Sequence, residues 1–437
     1  MKRAEVVLKC TLGSLGQLLS ENFSASDQGV TKPSIISLFT GAGGLDLGFH
    51  AAGLSTAVAV EMDARCCKTL RANESKHPWQ VIEQPVEEVS SEEILQAGKL
   101  KAGKVDVLIG GPPCQPFSKS GFWSRGEAGR LDDPRANTLS EYMRVLCETQ
   151  PKAFLLENVA GLAFSGKEEG FQYLLDEVKR INLKTNSNYQ VHWKVINAAS
   201  YGVPQTRERI ILIGSRDGAD FTFPAPQFFD ANSVEAGESF RTAWDAIGDL
   251  DCLTAPEETV VSGRWADLLP SIPEGMNYLH HTDRGAGIAL FGWRRRYWSF
   301  LLKLAKSRPS WTLTAQPGPA IGPFHWKSRR LTRQELARLQ TIPDGYAVEG
   351  TLTDVQRQLG NAVPSLLGEI LGTEIRRQLL GHNIPMSRPR LLCAKRADMP
   401  AAEQSGSVPR KFKSLEGIYE AHPGTGLGFG ALRRQIL

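Results

Sequence analysis

Strand-like and helix-like segments alternate over the first 220 residues, and this alternation restricts the chain to one class of fold. Apolar runs rich in β-branched residues occur at 35–39, 57–60 and 105–109, and the segments between them carry helical periodicity. Further strands are predicted at 153–156 and 209–213. Because strands that alternate with helices pair in parallel, we expect an α/β domain with a mostly parallel sheet and helices on both faces.

Residues 221–328 lose this alternation and are rich in Pro, Gly and Trp, so we expect a second, smaller and irregular domain there. Acids outnumber bases ten to two over 221–280, whereas eight bases stand against one acid over 281–328. Six of the nine tryptophans fall in the region, at positions 244, 265, 293, 298, 311 and 326. Basic side chains interleaved with aromatic ones fit a surface that grips phosphates and stacks on bases. A solvated face over core tryptophans fits the composition equally well.

Composition excludes several other classes of protein. With 437 residues the chain exceeds one ordinary domain, so two folded units with tails are expected. The seven cysteines are scattered and show no C-x-x-C spacing, which predicts neither a metal site nor a disulfide framework. No apolar stretch reaches the roughly 18 residues that a membrane helix needs, and the N-terminus lacks a secretory pattern. A reducing cytosol is the expected compartment.

The string GGPPCQPFS at 110–118 follows the predicted strand at 105–109. Its three prolines fix φ, so the Cys114 thiol is expected on a stiff loop just beyond a strand end. Open α/β sheets bind their ligands at this edge. Cys114 is therefore a candidate nucleophile, and a buried structural cysteine is the alternative.

A glycine loop, Gly41-Ala42-Gly43-Gly44, follows the first strand and would let a cofactor approach the backbone. A dinucleotide fingerprint needs glycine at position 46, where this chain has Asp46, which disfavours a nicotinamide enzyme. Glu61, at the end of the second strand, stands where a carboxylate can hold ribose hydroxyls. An adenosine without a pyrophosphate, as in S-adenosyl-L-methionine, fits this pattern. A purely steric role for the glycines is the alternative.

Three further motifs complete the pattern. Glu157, in the string LENV, is expected at the same sheet edge as Cys114, although a surface acid or a helix cap would also fit. The string QTRERI at 205–210 places Arg207 and Arg209 on one face by strand alternation. The string GNAVP at 360–364 is predicted to be a turn that opens a helix.

Taken in order, these motifs resemble those of the DNA (cytosine-5) methyltransferases of bacterial restriction-modification systems. The matching strings are SLFTGAGGLDLGF, GGPPCQPFS, ENV, QTRERI, RLTRQELARLQTIPD and GNAVP. The resemblance implies a Rossmann-like, S-adenosyl-L-methionine-dependent catalytic domain formed by 33–220 and 329–380. It makes 221–328 the target-recognition domain and leaves 1–32 and 381–437 as an N-terminal and a basic C-terminal extension.

The resemblance also implies a reaction: methylation of cytosine C5 within a short, specific sequence of double-stranded DNA. The Cys114 thiolate would add at C6 of a cytosine flipped out of the duplex, which activates C5. Glu157 would supply a proton near N3, and Asn158 would position it. Arg207 and Arg209 would donate to the cytosine carbonyl or to a phosphate.

The resemblance also implies cofactor and DNA contacts, which are assigned to the residues of this sequence at the matching positions. The residues expected around the cofactor are Phe39, Thr40, Gly41, Ala42, Gly43, Gly44, Glu61, Met62, Pro112, Asn361 and Val363. Where the family usually has an aspartate for the adenine amino group, this chain has Pro85, and Gln84 is the possible substitute. The residues expected to contact DNA are Ser118, Arg294, Arg295, Arg296, Thr312, Thr314 and Gln316. A mobile lid is expected at 117–137.

The resemblance implies a bacterial, cytoplasmic monomer that protects host DNA from a cognate restriction endonuclease. The extension at 381–437 carries nine bases against four acids, which fits either added DNA affinity or a solvated end.

Two other functions also fit parts of the sequence: RNA cytosine-5 methylation and a catalytically silent DNA-binding regulator. The size of the 221–328 region favours DNA over RNA, and Cys114 with Glu157 argue against a silent regulator.

Overall fold

The computed structural model describes residues 32–113, 137–163, 169–251, 254, 256–293, 297–316 and 318–418. Several predicted features lie outside these residues: Cys114, Ser118, Arg294, Arg295, Arg296 and the lid at 117–137 apart from Asn137. From Pro33 onward the described residues belong to one compact unit. Within the described ranges, no helix has the length and apolar character needed to cross a membrane.

The central feature of the described residues is a sheet of seven strands. The strands of the catalytic part are β1 Ser34–Leu38, β2 Ser55–Glu61, β3 Gln80–Glu83, β4 Val107–Gly110, β5 Ala153–Val159, β6 Gln190–Asn197, β7 Gln205–Thr206 and β8 Glu208–Ser215. All except β7 join the sheet, in the order β3-β2-β1-β4-β5-β8-β6. Pairing is parallel from β3 to β5, and β8 is antiparallel to both β5 and β6. The predicted mostly parallel sheet is confirmed.

Helices cover both faces of this sheet, as predicted. The α-helices of the described residues are α1 Gly44–Ala51, α2 Ala64–Ala72, α3 Ser91–Ala97, α4 Asn137–Thr149, α5 Glu169–Thr185, α6 Ala243–Ile247, α7 Arg333–Leu339, α8 Leu352–Asn361, α9 Ser365–Gln378 and α10 Arg410–Lys413, and those that cover the two faces are α1, α3, α4, α5 and α9. Neighbouring residues of a strand point to opposite faces. Ile36 therefore joins the core under α3, α4 and α5, whereas Ile35 joins the core under α1 and α9.

The region 221–328 is irregular, as expected, and most of its regular structure is short. It contains the two-residue strands β9 Phe228–Phe229, β10 Glu238–Ser239 and β11 Ser310–Trp311, the helix α6 and several 3-10 turns. An aromatic core that includes Trp265, Tyr278, Phe291 and Phe300 holds it together. Aromatic rings carry the largest apolar area per residue, so a few of them can organise a segment with little secondary structure.

The tryptophans of this region divide between two environments. Trp244, Trp265 and Trp326 are buried. Trp244 and Trp326 belong to a core shared with Leu47 and Leu359 of the catalytic part. The other three tryptophans, at 293, 298 and 311, are 40%, 39% and 39% exposed. The interpretation as core tryptophans is thus confirmed for three of the six, and a nucleic-acid surface stays a prediction for the other three.

Residues 386–418, within the described part of the C-terminal extension, are here called the C-terminal strap. Glu369 of α9 accepts hydrogen bonds from the backbone N–H groups of Arg390 and Leu391. Further along, Arg396 donates to the side chain of Asp249 at 2.7 Å. Phe412 is buried in the aromatic core and stacks on Trp265, with ring centroids 5.5 Å apart. A solvated end is therefore the wrong description for this segment, because it supplies a core residue.

Candidate active site

The carboxyl ends of four neighbouring strands, β2, β1, β4 and β5, bring the predicted motifs to one edge of the sheet. The glycine loop follows β1, and Glu61 is the last residue of β2. Gly111 begins the loop after β4, and Glu157 lies two residues before the end of β5. Parallel strands place their carboxyl ends together, so motifs far apart in sequence become neighbours here.

Glu157 is buried at this edge, in contact with the arginine motif. Its Oε1 accepts from the Nε of Arg209 at 2.8 Å. The other carboxylate oxygen, Oε2, lies against Gly111, where an added Cβ would be only 2.9 Å away. Glycine at 111 therefore lets the carboxylate approach the loop that leads to Cys114. The alternatives of a surface acid and a helix cap are excluded by this burial, and the expected position at the edge is confirmed.

Asn158 makes contacts that differ from the prediction. Its Nδ2 donates to the carbonyl of Pro112 at 3.0 Å, and its Oδ1 accepts from the N–H of Val159. Neither of these hydrogen bonds is made to Glu157, so the role of positioning Glu157 stays a prediction. Asn158 fixes the backbone of the neighbouring loop two residues before Cys114.

Arg207 is fully buried, and part of its guanidinium has no partner. One terminal nitrogen donates to the carbonyl of Gly360 at 2.9 Å. The Nε and the other terminal nitrogen find no hydrogen-bond partner among the described residues. Burial and the nearby Arg209 lower the pKa of Arg207, and Glu157 opposes this shift. An arginine stays cationic at neutral pH, so this site has unused donors and strongly favours an acceptor or an anion.

The segment 310–316, which holds three predicted DNA contacts, packs against the arginine motif. The Thr312 hydroxyl donates to the carbonyl of Thr206 at 2.6 Å. The Thr314 Oγ1 is buried without a partner among the described residues. Thr312 is exposed and its hydroxyl is already bonded to the backbone, whereas Thr314 is half-buried with its hydroxyl covered. Base-edge contact by Thr312 and Thr314 therefore stays a prediction. Gln316 is exposed and remains a predicted contact.

Glu61 organises the predicted cofactor loop. Its Oε2 accepts from the N–H of Gly41 at 2.7 Å, and its Oε1 accepts from the N–H of Asp63 at 2.7 Å. Burial raises the pKa of Glu61, and the two N–H donors counteract this. Gly41 has φ of 58°, and no described atom lies within 4 Å of the place for its Cβ. Glu61 thus fixes the backbone of the loop, and the space next to the Cα of Gly41 is open among the described atoms.

The remaining cofactor predictions are distributed around this opening. Met62 is 67% exposed beside the buried Glu61. Phe39 has φ of 53° and is partly buried against the core. Thr40 turns its hydroxyl inward, to Ser37. An exposed methionine next to a buried acid provides an uncovered apolar surface that a planar heterocycle can cover.

The GNAVP turn lies directly against the glycine loop. A Cβ at Gly44 would be 2.5 Å from the carbonyl oxygen of Val363. The Ser365 hydroxyl donates to the carbonyl of Gly44 at 2.8 Å. Asn361 is exposed at the end of α8, and Pro112 is buried near the start of the loop after β4. Val363 therefore lies beside the glycine loop, and closure of a cofactor cleft by Val363 and Asn361 stays a prediction.

Two residues beside the glycine loop were missed by sequence reasoning. The Tyr346 hydroxyl donates to the carbonyl of Ala42 at 2.9 Å. The Trp79 ring lies so close to Gly43 that a Cβ there would be 2.8 Å from it. Neither residue lies in a recognisable motif. The only available signal was that each is a large aromatic residue in a polar stretch.

At the position where the family usually has an aspartate for the adenine amino group, this chain has Pro85. Pro85 precedes a 3-10 turn at Val86–Glu88, and Gln84 is exposed. The Glu83 carboxylate is bound by Arg71.

Asp46, whose presence in place of glycine disfavoured a dinucleotide-binding loop, is buried and accepts hydrogen bonds from Ser37 and Thr56. Burial raises the pKa of Asp46 to about 6.

Comparison with solved structures supports the fold. A DNA modification methyltransferase encoded within an E. coli prophage has a TM-score of 0.55 at 23% identity, covering 80% of this chain and 100% of that one. DNMT2 of Spodoptera frugiperda has a TM-score of 0.54 at 15% identity, covering 79% of this chain and 99% of that one. At these identities the likeness supports a Rossmann-like fold alone.

Sequence comparison identifies the family. The type II methyltransferase M.SacI of Streptomyces achromogenes is 39% identical over 379 residues, which are 79% of this chain and 93% of the relative. M1.HphI of Haemophilus parahaemolyticus is 35% identical over 78% of this chain and 86% of the relative. A family model for C-5 cytosine-specific DNA methylase matches residues 34–377. The chain therefore belongs to the C-5 cytosine-specific DNA methylase family and is a DNA (cytosine-5-)-methyltransferase of the kind found in type II restriction-modification systems.

Proposed function

We propose that the enzyme methylates one cytosine within a short, specific sequence of double-stranded DNA, through covalent addition of Cys114 to a flipped base. One observation carries this proposal. The Glu157 carboxylate, paired with Arg209 at 2.8 Å, lies against Gly111 at the start of the loop that leads to Cys114. An acid, a cation and a loop-borne thiol at one sheet edge fit addition to a ring whose developing charge must be neutralised.

The proposed step proceeds as follows. The Cys114 sulfur forms a bond to cytosine C6 while N3 receives a proton from Glu157. The electron pair displaced toward C5 then forms the bond to the methyl group, as the bond between that methyl group and the sulfonium sulfur of the donor breaks and leaves a neutral thioether. Water takes the C5 proton, the C–H electron pair restores the C5–C6 double bond, the S–C6 bond breaks to release the Cys114 thiolate, and N3 returns its proton to Glu157. Arg209 orients Glu157. The donors of the buried Arg207 that lack a partner among the described residues would bind the cytosine carbonyl or a phosphate.

S-adenosyl-L-methionine is the proposed methyl donor, and the open side of the glycine loop supports it. S-adenosyl-L-methionine supplies an electrophilic methyl group on a sulfonium. Glu61 would hold the ribose hydroxyls, while Phe39 and Met62 would enclose the adenine. Gly41, Ala42, Gly43 and Gly44 would line the methionine part. Pro112, Asn361 and Val363 would close the cleft.

A methyl-transfer assay tests this function. Purified enzyme with tritiated S-adenosyl-L-methionine is expected to label plasmid DNA and not tRNA, and bisulfite sequencing is expected to locate one cytosine in a recurring sequence. Label on tRNA alone would establish RNA methylation instead. A covalent adduct with 5-fluorocytosine DNA is expected for the wild type, and its absence would favour the silent regulator.

The biological setting is also proposed. A modification enzyme of this family protects DNA from an endonuclease that recognises the same sequence, and it does so in the bacterial cytoplasm as a monomer. Plasmid DNA from cells that express the enzyme is expected to resist cleavage by one restriction endonuclease. Sensitivity to every endonuclease that cuts the methylated sequence would contradict this role.

A further inference from the structure

We propose that Trp311, oriented by Trp298, stacks on a base of the DNA duplex beside the cytosine that is modified. The inference rests on the proposed DNA substrate and identifies a positioning contact beyond the predicted residues. Trp298 and Trp311 are each 39% exposed, and their ring centroids are 5.2 Å apart at an angle of 72°. Tryptophan is normally well covered, so two exposed indoles in mutual contact indicate a surface made to be covered by a ligand.

The backbone places Trp311 beside the active site. Strand β11 pairs in parallel with β7, and this pairing sets Trp311 opposite Thr206, the residue before Arg207. The Ser310 N–H donates to the carbonyl of Pro204 at 2.9 Å, which fixes the same strand from its other end. Ser310 is fully buried and Trp311 is exposed, so strand alternation directs the indole outward.

Trp298 comes from the body of the recognition region and is equally well anchored. Its carbonyl accepts from Asn277 Nδ2 at 2.7 Å, and Asn277 is itself buried. The pair thus joins the recognition region to the arginine motif. The edge-to-face contact fixes the orientation of the Trp311 ring, because rotation of that ring would break the contact with Trp298.

Exposed cations of the same region favour a nucleic acid as the occupant. Arg308, three residues before Trp311, is exposed. Elsewhere in the region, Arg284 is also exposed, and its guanidinium lies 4.5 Å from the centre of the Trp293 ring. Flat aromatic faces next to cations match stacked bases next to phosphates. Trp311 pairs with Thr206, the residue before Arg207. We therefore expect the ligand on this pair to be the same duplex whose cytosine enters the active site.

Three substitutions test the contact: Trp311→Ala, Trp311→Phe and Trp298→Ala. Trp193→Ala is the matched control, because Trp193 is 47% exposed and also meets another ring, Phe171, edge-to-face at 4.9 Å. It lies on the edge strand β6. Each variant is assayed with plasmid-derived duplex DNA for kcat, for the KM of DNA and for the KM of S-adenosyl-L-methionine.

Trp311→Ala is expected to raise the KM for DNA about 5- to 150-fold, the range for loss of one aromatic–base stack, without changing the KM for S-adenosyl-L-methionine. Trp311→Phe is expected to restore most of the affinity, Trp298→Ala to lose less than Trp311→Ala, and Trp193→Ala to match the wild type. Quenching of intrinsic fluorescence by duplex DNA is expected to shrink in Trp311→Phe.

A KM for DNA within twofold of wild type in Trp311→Ala overturns the inference, and so does an equal loss of DNA affinity in Trp193→Ala. Failure of the wild type to methylate DNA would instead overturn the proposed function.

Discussion

The carboxyl edge of the sheet and the region 221–328 are built in different ways. At the edge, each functional side chain lies within a few residues of a strand end, and the parallel sheet brings those ends together. In the region 221–328, the aromatic core is completed by Phe412, which comes from the far end of the described chain. Short local motifs can therefore specify the catalytic edge, whereas the recognition region depends on long-range packing.

The largest effect is expected at the catalytic edge, from Cys114→Ser. Turnover should fall by on the order of 10⁴-fold or more, because a hydroxyl is a far weaker nucleophile than a thiolate. Affinity for S-adenosyl-L-methionine should remain close to wild type. Tritiated-methyl transfer and calorimetric titration measure the two quantities. A simultaneous collapse of cofactor affinity would place Cys114 within the cofactor site instead of beside it.

Glu157→Gln should lower kcat by roughly 10²- to 10⁴-fold, the usual contribution of a positioned proton donor. The amide keeps the size of the side chain and loses the carboxyl proton. The KM for S-adenosyl-L-methionine should stay unchanged, because Glu157 contacts the arginine motif and not the glycine loop. Single-turnover assays with duplex DNA give the comparison, and wild-type rates would remove Glu157 from the acid role.

Phe412→Ala tests whether the recognition region depends on the C-terminal strap. Removing a buried aromatic ring that stacks on Trp265 should lower the free energy of unfolding by about 3–5 kcal/mol. Met399→Ala, in an exposed part of the same strap, should change it by less than about 0.5 kcal/mol. Urea denaturation measures both. Equal stability of the two variants would mean that the strap is peripheral to the recognition region.

A pH-dependent effect is expected from Asp46, beneath the glycine loop. Burial raises the pKa of Asp46 from 3.8 to about 6, so the folded state holds this proton more tightly than the unfolded chain does. The free energy of unfolding should therefore fall, relative to Asp46→Asn, by up to about 3 kcal/mol as the pH rises from about 3 to about 7. Above that range the difference should be constant. Parallel urea titrations provide the test, and a difference independent of pH would contradict it.

Gly111→Ala should produce the smallest effect, a loss of about tenfold in kcat. The new Cβ would stand 2.9 Å from Oε2 of Glu157 and displace the carboxylate from its position. If Gly111 acts through Glu157, the double variant with Glu157→Gln should be no slower than Glu157→Gln alone. Additive losses in this double-mutant cycle would assign Gly111 a separate role.

The contrast between the two regions also explains which predictions the sequence could support. The strand at 105–109 and the position of Glu157 followed from apolar runs and strand ends, and the structure confirms both. The hydrogen bonds of Thr312 and Asn158 could not be inferred, because each depends on which backbone carbonyl lies next to the hydroxyl or amide. The contact of Tyr346 with Ala42 could not be inferred either, since it joins residues without a common motif.

The sequence by itself determined the class of fold, the order of the motifs and the chemistry that they carry, because periodicity and residue type are local properties. The tertiary structure decided which donors stay unpaired, which tryptophans are covered and where the C-terminal strap lies. Arg207 illustrates the division: its motif indicates an anion or carbonyl partner, but only packing shows that two of its nitrogens have no partner among the described residues. Burial and pairing depend on neighbours that the chain brings together only when it folds.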